Sequence, residues 1–138
     1  MVVDTTYYKS KQLKGIGNVA FYWDSIKSSY KVGTWTEYFE NGKIKSKGDY
    51  QIDSYITCCS SGPCFNYRNY KIGAWKYFYD NGQLEAEGTY KVKLVHINTT
   101  CEGGDRVNKA LITRKWKFYD RDGKIIPVND SIKNEMEK

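Results

Sequence analysis

Lys31-Val-Gly-Thr-Trp-Thr-Glu-Tyr-Phe-Glu-Asn-Gly-Lys-Ile-Lys-Ser-Lys-Gly-Asp-Tyr50 recurs without a gap forty positions later as Lys71-Ile-Gly-Ala-Trp-Lys-Tyr-Phe-Tyr-Asp-Asn-Gly-Gln-Leu-Glu-Ala-Glu-Gly-Thr-Tyr90. Self-similarity at a fixed period is the signature of a repeat architecture, so this pair decides the fold. A third copy, shifted by one more residue, is Trp116-Lys-Phe-Tyr-Asp-Arg-Asp-Gly-Lys-Ile125. A worn copy at the start, Tyr7-Tyr-Lys-Ser-Lys-Gln-Leu-Lys-Gly-Ile-Gly17, matches residues 78–88 with Lys11 in the place of the turn glycine. The repeats therefore lie near 5–19, 31–51, 71–91 and 114–128.

The good copies centre on Asn41-Gly42, Asn81-Gly82 and Asp122-Gly123, flanked by aromatic and β-branched residues. That pattern predicts two-residue type I′ hairpins, in which both turn residues need positive φ. With those two residues as the loop, Trp35 faces Gly48, Phe39 faces Ile44, and Trp75 faces Gly88. An indole lying across a bare glycine fills the space of the missing side chain. Alternation then puts Trp35, Phe39, Ile44, Ser46, Gly48 and Tyr50 on one face, with Trp75, Tyr77, Tyr79, Leu84, Ala86, Gly88 and Tyr90. The wetter face takes Thr34, Thr36, Tyr38, Lys43, Lys45 and Lys47, with Lys76, Phe78, Glu85 and Glu87. In the third copy Asn129 faces Trp116 and Pro127 interrupts the last strand, so the array ends there.

Strand-like sequence between the copies completes an all-β, up-and-down antiparallel meander of about eight strands built from repeated β-hairpins, near 3–9, 13–24, 29–40, 43–57, 65–80, 83–98, 106–121 and 124–128. Residues 1–130 read as a single repeat domain and 131–138 as a frayed or briefly helical C-terminal tail. The longer loops, 25–28, 58–64 and 99–105, gather at the end opposite the tight turns. No covering helix is evident for the aromatic face, which must bury itself on a curled neighbour, a second copy or a partner.

With 138 residues, 40% hydrophobic and 28% charged, the chain supports one modest core, and no run reaches the ~18 apolar residues of a membrane helix. Its 5 Phe, 13 Tyr and 4 Trp beside 2 Pro exclude disorder, and its single histidine leaves most hydrolytic and metal-catalytic schemes short of parts. The charge of +6 is spread among alternating lysines and acids, the pattern of a solvated surface or of a basic binding face. Outward-facing Tyr38, Phe78 and Tyr119, with Lys43, Lys45 and Lys47, are the candidate partner-binding residues. Nucleic acid is disfavoured, because Glu85 and Glu87 interrupt the surface and no arginine-lined stacking platform accompanies the tyrosines. Gly103-Gly104 is a turn signal and not a phosphate loop.

Cys58, Cys59 and Cys64 share one long loop, and aligning the repeats puts Cys101 beside them. Three readings stay open for this cluster: free thiols, one or two disulfides, and a metal site with His96, whose spacing fits structural zinc poorly. A catalytic cysteine would need His96 as its base, and His96 falls within a strand and reads as structural. Residues 2–14 hold no apolar run of secretory length. The cytoplasm is the default expectation, and an extracytoplasmic one if the cysteines are bridged.

Gly-x-Trp, then Tyr/Phe, Asn-Gly-x-Ile/Leu and a later Gly-x-Tyr resemble the MORN-repeat superfamily, in particular the bacterial MORN-variant repeats of antitoxin-like or immunity-like proteins. The resemblance is close over 33–50 and 73–90, partial over 116–125 and faint before Gly17; the ~40-residue period is about twice the family's usual unit. It implies a twisted hairpin array, without cofactor or metal, that binds another protein and catalyses nothing. The expected function is a non-enzymatic interaction module that neutralises a toxin; the alternative is a cell-envelope or membrane-surface scaffold, for which an anionic membrane is the partner. A small enzyme using Cys58, Cys59 or Cys64 is the third reading.

Overall fold

The computed structural model describes residues 2–23, 27–128 and 130–138. The β-favouring runs become nine strands in chain order, β1 (Val2–Tyr7), β2 (Leu13–Trp23), β3 (Lys27–Tyr38), β4 (Ile44–Cys59), β5 (Gly62–Phe78), β6 (Leu84–Ile97), β7 (Asp105–Leu111), β8 (Lys117–Tyr119) and β9 (Ile125–Ile126), followed by one helix, α1 (Asp130–Met136). Neighbours pair antiparallel in meander order, and the sheet stays open. The loop expected at 25–28 lies largely outside the described residues, as does Asn129.

Each strand of the inner hairpins has two halves. Close to the tight turns, β3 pairs with β4 from Gly33↔Tyr50 to Tyr38↔Ile44, and β5 with β6 from Gly73↔Tyr90 to Phe78↔Leu84, within one continuous sheet. Beyond that, 18–23 pairs with 27–32, 49–59 with 62–72, and 91–97 with 105–111, which gives three separate hairpin arms. The switch between halves is a bulge at Gly33 and Gly73, both at φ 67. A Cβ at either position would meet open space, so the backbone conformation, rather than crowding, calls for glycine. Arg114 stands at the corresponding place before Trp116, where a turn closed by Trp116 N–H on the Thr113 carbonyl (3.2 Å) replaces the bulge. The seventh strand, expected as one run over 106–121, is therefore two, and both pair with β6.

The tight turns differ from expectation. Phe39 N–H donates to the Lys43 carbonyl (2.8 Å) and Gly42 N–H to the Phe39 carbonyl (2.9 Å), which defines a three-residue loop closed by a left-handed glycine at φ 86. Tyr79 to Gln83 and Asp120 to Lys124 repeat these bonds. Asn41 keeps negative φ, and its side-chain oxygen accepts the Lys43 N–H (3.0 Å). Asparagine is used here for its side-chain bond rather than for a type I′ conformation. The longer loop shifts the register by one residue beside each turn, so Ile44 pairs with Tyr38 and Leu84 with Phe78. Ile44 and Leu84 thus leave the tryptophan face on which alternation alone had put them. Glu85, expected on the wetter face, lines a hollow with Tyr77 and α1.

Trp35 is the register partner of Gly48, as expected, but a different indole covers that glycine. A Cβ on Gly48 would stand 2.0 Å from the Trp75 ring, one on Gly17 2.5 Å from Trp35, and one on Gly88 2.3 Å from Trp116. Every tryptophan of this ladder covers the glycine of the preceding repeat. Its indole N–H donates to the carbonyl one residue further on: Trp35 to Asn18 (2.7 Å), Trp75 to Asp49 (3.2 Å) and Trp116 to Thr89 (2.9 Å). The core grows from this ladder, with Trp75, Ala86, Tyr90, Ala110, Ile112, Trp116 and Phe118 in one buried cluster.

A covering helix does exist, and the tail supplies it. Ile132 and Met136 of α1 pack on the cluster. The Met136 carbonyl accepts from the Tyr90 hydroxyl (2.9 Å) and the Lys71 ammonium (3.4 Å), and Glu137 accepts the Ile112 N–H (3.1 Å). Seven residues are too few to advertise a helix by periodicity; tertiary burial of two apolar side chains stabilises it.

Candidate functional site

Two surfaces offer themselves. The first is the face of the sheet opposite the tryptophans. Tyr38, Phe78 and Tyr119 lie there, half-buried, with Lys47 and Lys76 in register and Glu87 next along the row. The Tyr119 hydroxyl donates to Glu87 (3.2 Å). The other two lysines singled out from the sequence are drawn elsewhere: Lys43 reaches the Asn81 carbonyl (3.3 Å), and the Lys45 ammonium stands 5.8 Å from the centre of the Phe39 ring. Lys43 belongs to a set of bonds that stitch one turn to the next, with Asn41 donating to the Asp80 carbonyl (2.8 Å), Tyr8 to Tyr38 (2.8 Å) and Tyr79 to Tyr119 (2.8 Å).

The second surface is a cleft between the arms of β4/β5 and β6/β7. Disulfides Cys58–Cys101 and Cys59–Cys64 close its far end, and the first joins the two arms. Side chains bridge the arms in place of a backbone ladder. Asp105 accepts the Ile56 N–H (2.8 Å), Asp53 accepts the Asn108 N–H (2.7 Å), Arg68 donates to the Asn108 carbonyl, and Thr100 pairs with both backbone groups of Cys58. Bonds from the backbone of Ile56 and Arg106 hold the Asp105 carboxyl below its ordinary range. His96 lies in β6, with Nε2 2.8 Å from the Gly103 carbonyl, so its ring fastens the following loop.

The cleft holds about 510 Å³ lined by Tyr55, Arg68, Val95, His96, Ile97, Val107, Lys109 and Glu137. A second hollow of about 310 Å³ shares Arg68, Lys109 and Glu137 with it and adds Tyr50, Tyr70 and Lys71 among others. Burial pushes the Lys71 ammonium below its ordinary value, against the pull of Glu37, and the ring centres of Trp75, Tyr77 and Tyr90 lie within 5.8 Å of it. The sequence reading passed over Arg68 and Lys109, because each lies in the non-repeated part of its arm. The one available signal was their position beside the cysteine loops. Chemically, the cleft presents Arg68, Lys109 and Tyr55 beside the Glu137 carboxylate and the apolar Val95, Ile97 and Val107; the cysteines are in disulfides and carry no nucleophilic thiolate.

An open sheet assembled from hairpin repeats, each tryptophan clamped on the previous repeat, defines a β-hairpin repeat protein. Residues 31–51 and 71–91 match the family model described as MORN repeat variant, so these two hairpins are repeats of the MORN type. This repeat is that of protein-binding and membrane-associated modules, and the family is generally non-enzymatic. No curated protein and no solved structure matches the chain.

Proposed function

We propose that this chain is a non-enzymatic protein-binding module, and that its partner is a bacterial toxin which it occludes in the manner of an immunity or antitoxin protein. One observation carries the reading. Helix α1 covers the tryptophan face, while the row of Tyr38, Phe78 and Tyr119 opposite, flanked by Lys47 and Lys76, is covered by no element among the described residues. Aromatic rings with basic neighbours are the composition of an interface centre and its rim. Co-purification with a chain encoded beside it tests the partner. The complex is expected to weaken on charge reversal at Lys47 and Lys76 and on truncation of Tyr38, Phe78 or Tyr119. Normal affinity in all of these variants would remove this face from the proposal.

The paired cysteines favour a second reading, a scaffold at the cell envelope, since disulfides persist in oxidising compartments. It predicts salt-sensitive binding to anionic vesicles and an intact mass lower by two hydrogens for each bridge in protein taken from its native compartment. Fully alkylatable cysteines would count against it.

A further inference from the structure

We propose that the cleft between the second and third arms is a docking groove for an acidic stretch of a partner polypeptide. The proposal rests on the protein-binding reading above and adds a second surface and a ligand chemistry. Charge is its basis. The carboxylates around the cleft are already engaged with backbone N–H groups: Asp53 with Asn108, Asp105 with Ile56, and Glu137 with Ile112. Of the cations, Arg68 has the Asp53 carboxylate 4.0 Å away, while Lys109 has no such counter-ion among the described residues. The Lys109 ammonium makes no hydrogen bond or ion pair among the described residues, and it stands directly opposite Lys93 in the β6–β7 register.

Like charges facing each other across a strand pair repel, so the fold tolerates a cost that a bound anion would relieve. The comparable pair on the opposite face, Lys47 and Lys76, has Glu87 next in register to offset it. Arg68 uses one nitrogen on the Asn108 carbonyl and lines both hollows, and a guanidinium has five N–H donors in a fork suited to carboxylates. Tyr55 and Tyr70 add rings beside these cations. The walls are held apart at a set spacing by the Cys58–Cys101 bridge and the Asp53 and Asp105 contacts, so the groove is preorganised rather than formed on binding.

The test is an amide-shift titration of the full-length, oxidised protein with an end-capped oligo-glutamate peptide, and with oligo-lysine in parallel. Oligo-glutamate is expected to shift the amides of Val95, Val107 and Lys109 saturably, to bind about tenfold more weakly to K109E, and to weaken with salt, while oligo-lysine leaves them unmoved. K9E, in an exposed position beside the first tight turn, is expected to bind as the parent does. No saturable shift, or equal binding by K109E, would overturn the proposal. So would phosphatidylglycerol vesicles that bind through Lys109 where the peptide does not, which would assign the cleft to a lipid headgroup. If the peptide fails while a neighbouring gene product still binds through the Tyr38 face, only the groove falls. If the peptide docks and no such partner binds, the groove stands and the toxin reading falls.

Discussion

Lys11 stands at φ 71 in the seat that Gly42, Gly82 and Gly123 fill in the other turns, and it makes the same backbone bonds, Tyr8 N–H to the Gln12 carbonyl and Lys11 N–H to the Tyr8 carbonyl. A side chain there strains the backbone by about 1 kcal/mol. K11G is therefore expected to raise the urea midpoint by about 0.5–1 kcal/mol in stability, the gain being reduced by the freedom glycine adds to the unfolded chain. A lowered midpoint would contradict the shared turn geometry. Gly48 poses the opposite problem, because its Cβ would enter the Trp75 ring. G48A is expected to cost about 3 kcal/mol by overpacking, and to cost far less in a W75A background. A double-mutant cycle measures this coupling; finding it with Trp35 and not with Trp75 would reverse the assignment. The glycine–tryptophan pairing was legible in the residues, but hairpin arithmetic knows only the partner within one hairpin. The bulge at Gly73 is what swings Trp75 onto the preceding repeat.

Among the elements, the arms and the helix carry the sharpest predictions. The Cys58–Cys101 bridge closes a sequence separation of 43 and Cys59–Cys64 one of 5. By chain entropy the first contributes about 4 kcal/mol and the second about 2. Denaturation of C58S/C101S should therefore show the larger loss, and the reverse order would argue that the arms are held by their side-chain bridges instead. Under α1, burial raises Tyr50 and Tyr77 well beyond the tyrosine range and pushes Tyr90 up to about 12. A phenol whose folded pKa lies above its unfolded value of about 10 keeps its proton while the unfolded chain loses it. Stability is thus full below pH 10 and falls as pH climbs towards 12. Lys71, shifted down, acts in the opposite sense below 10.5. Urea midpoints across this range should decline in the parent and flatten in Y77F/Y90F; an unchanged slope would mean that α1 does not exclude water from these hydroxyls. The brevity of α1 concealed its role in the sequence. The split of the seventh strand traces to the missing glycine before Trp116.

For the whole molecule, the array is capped by departures from its own pattern. Asp4 occupies the register position opposite Gly17, where the two inner repeats set a tryptophan opposite a glycine, and β1 is exposed along its length. At the other end Pro127 follows the two-residue β9. Repeat proteins couple each unit to its neighbours, so stability should be greatest around Trp75 and Trp116 and least at β1. Native-state hydrogen exchange is expected to show the slowest amides in β5 and β6 near Ala86 and Tyr90, with β1 exchanging through local opening. Equal protection of β1 would indicate that its edge is covered, by a second copy or by a partner.

The amino-acid sequence by itself determined the period, the hairpins and the meander, because these rest on local turn chemistry and on the alternation of side chains along a strand. Only the tertiary structure decided which indole covers which glycine, that the tail is the lid of the aromatic face, and that two arms joined by Cys58–Cys101 enclose a cleft with Arg68, Lys109 and Glu137 in its lining. Those outcomes depend on contacts between residues some eighteen to sixty-five positions apart, set by bulges and register shifts whose geometry accumulates across the sheet.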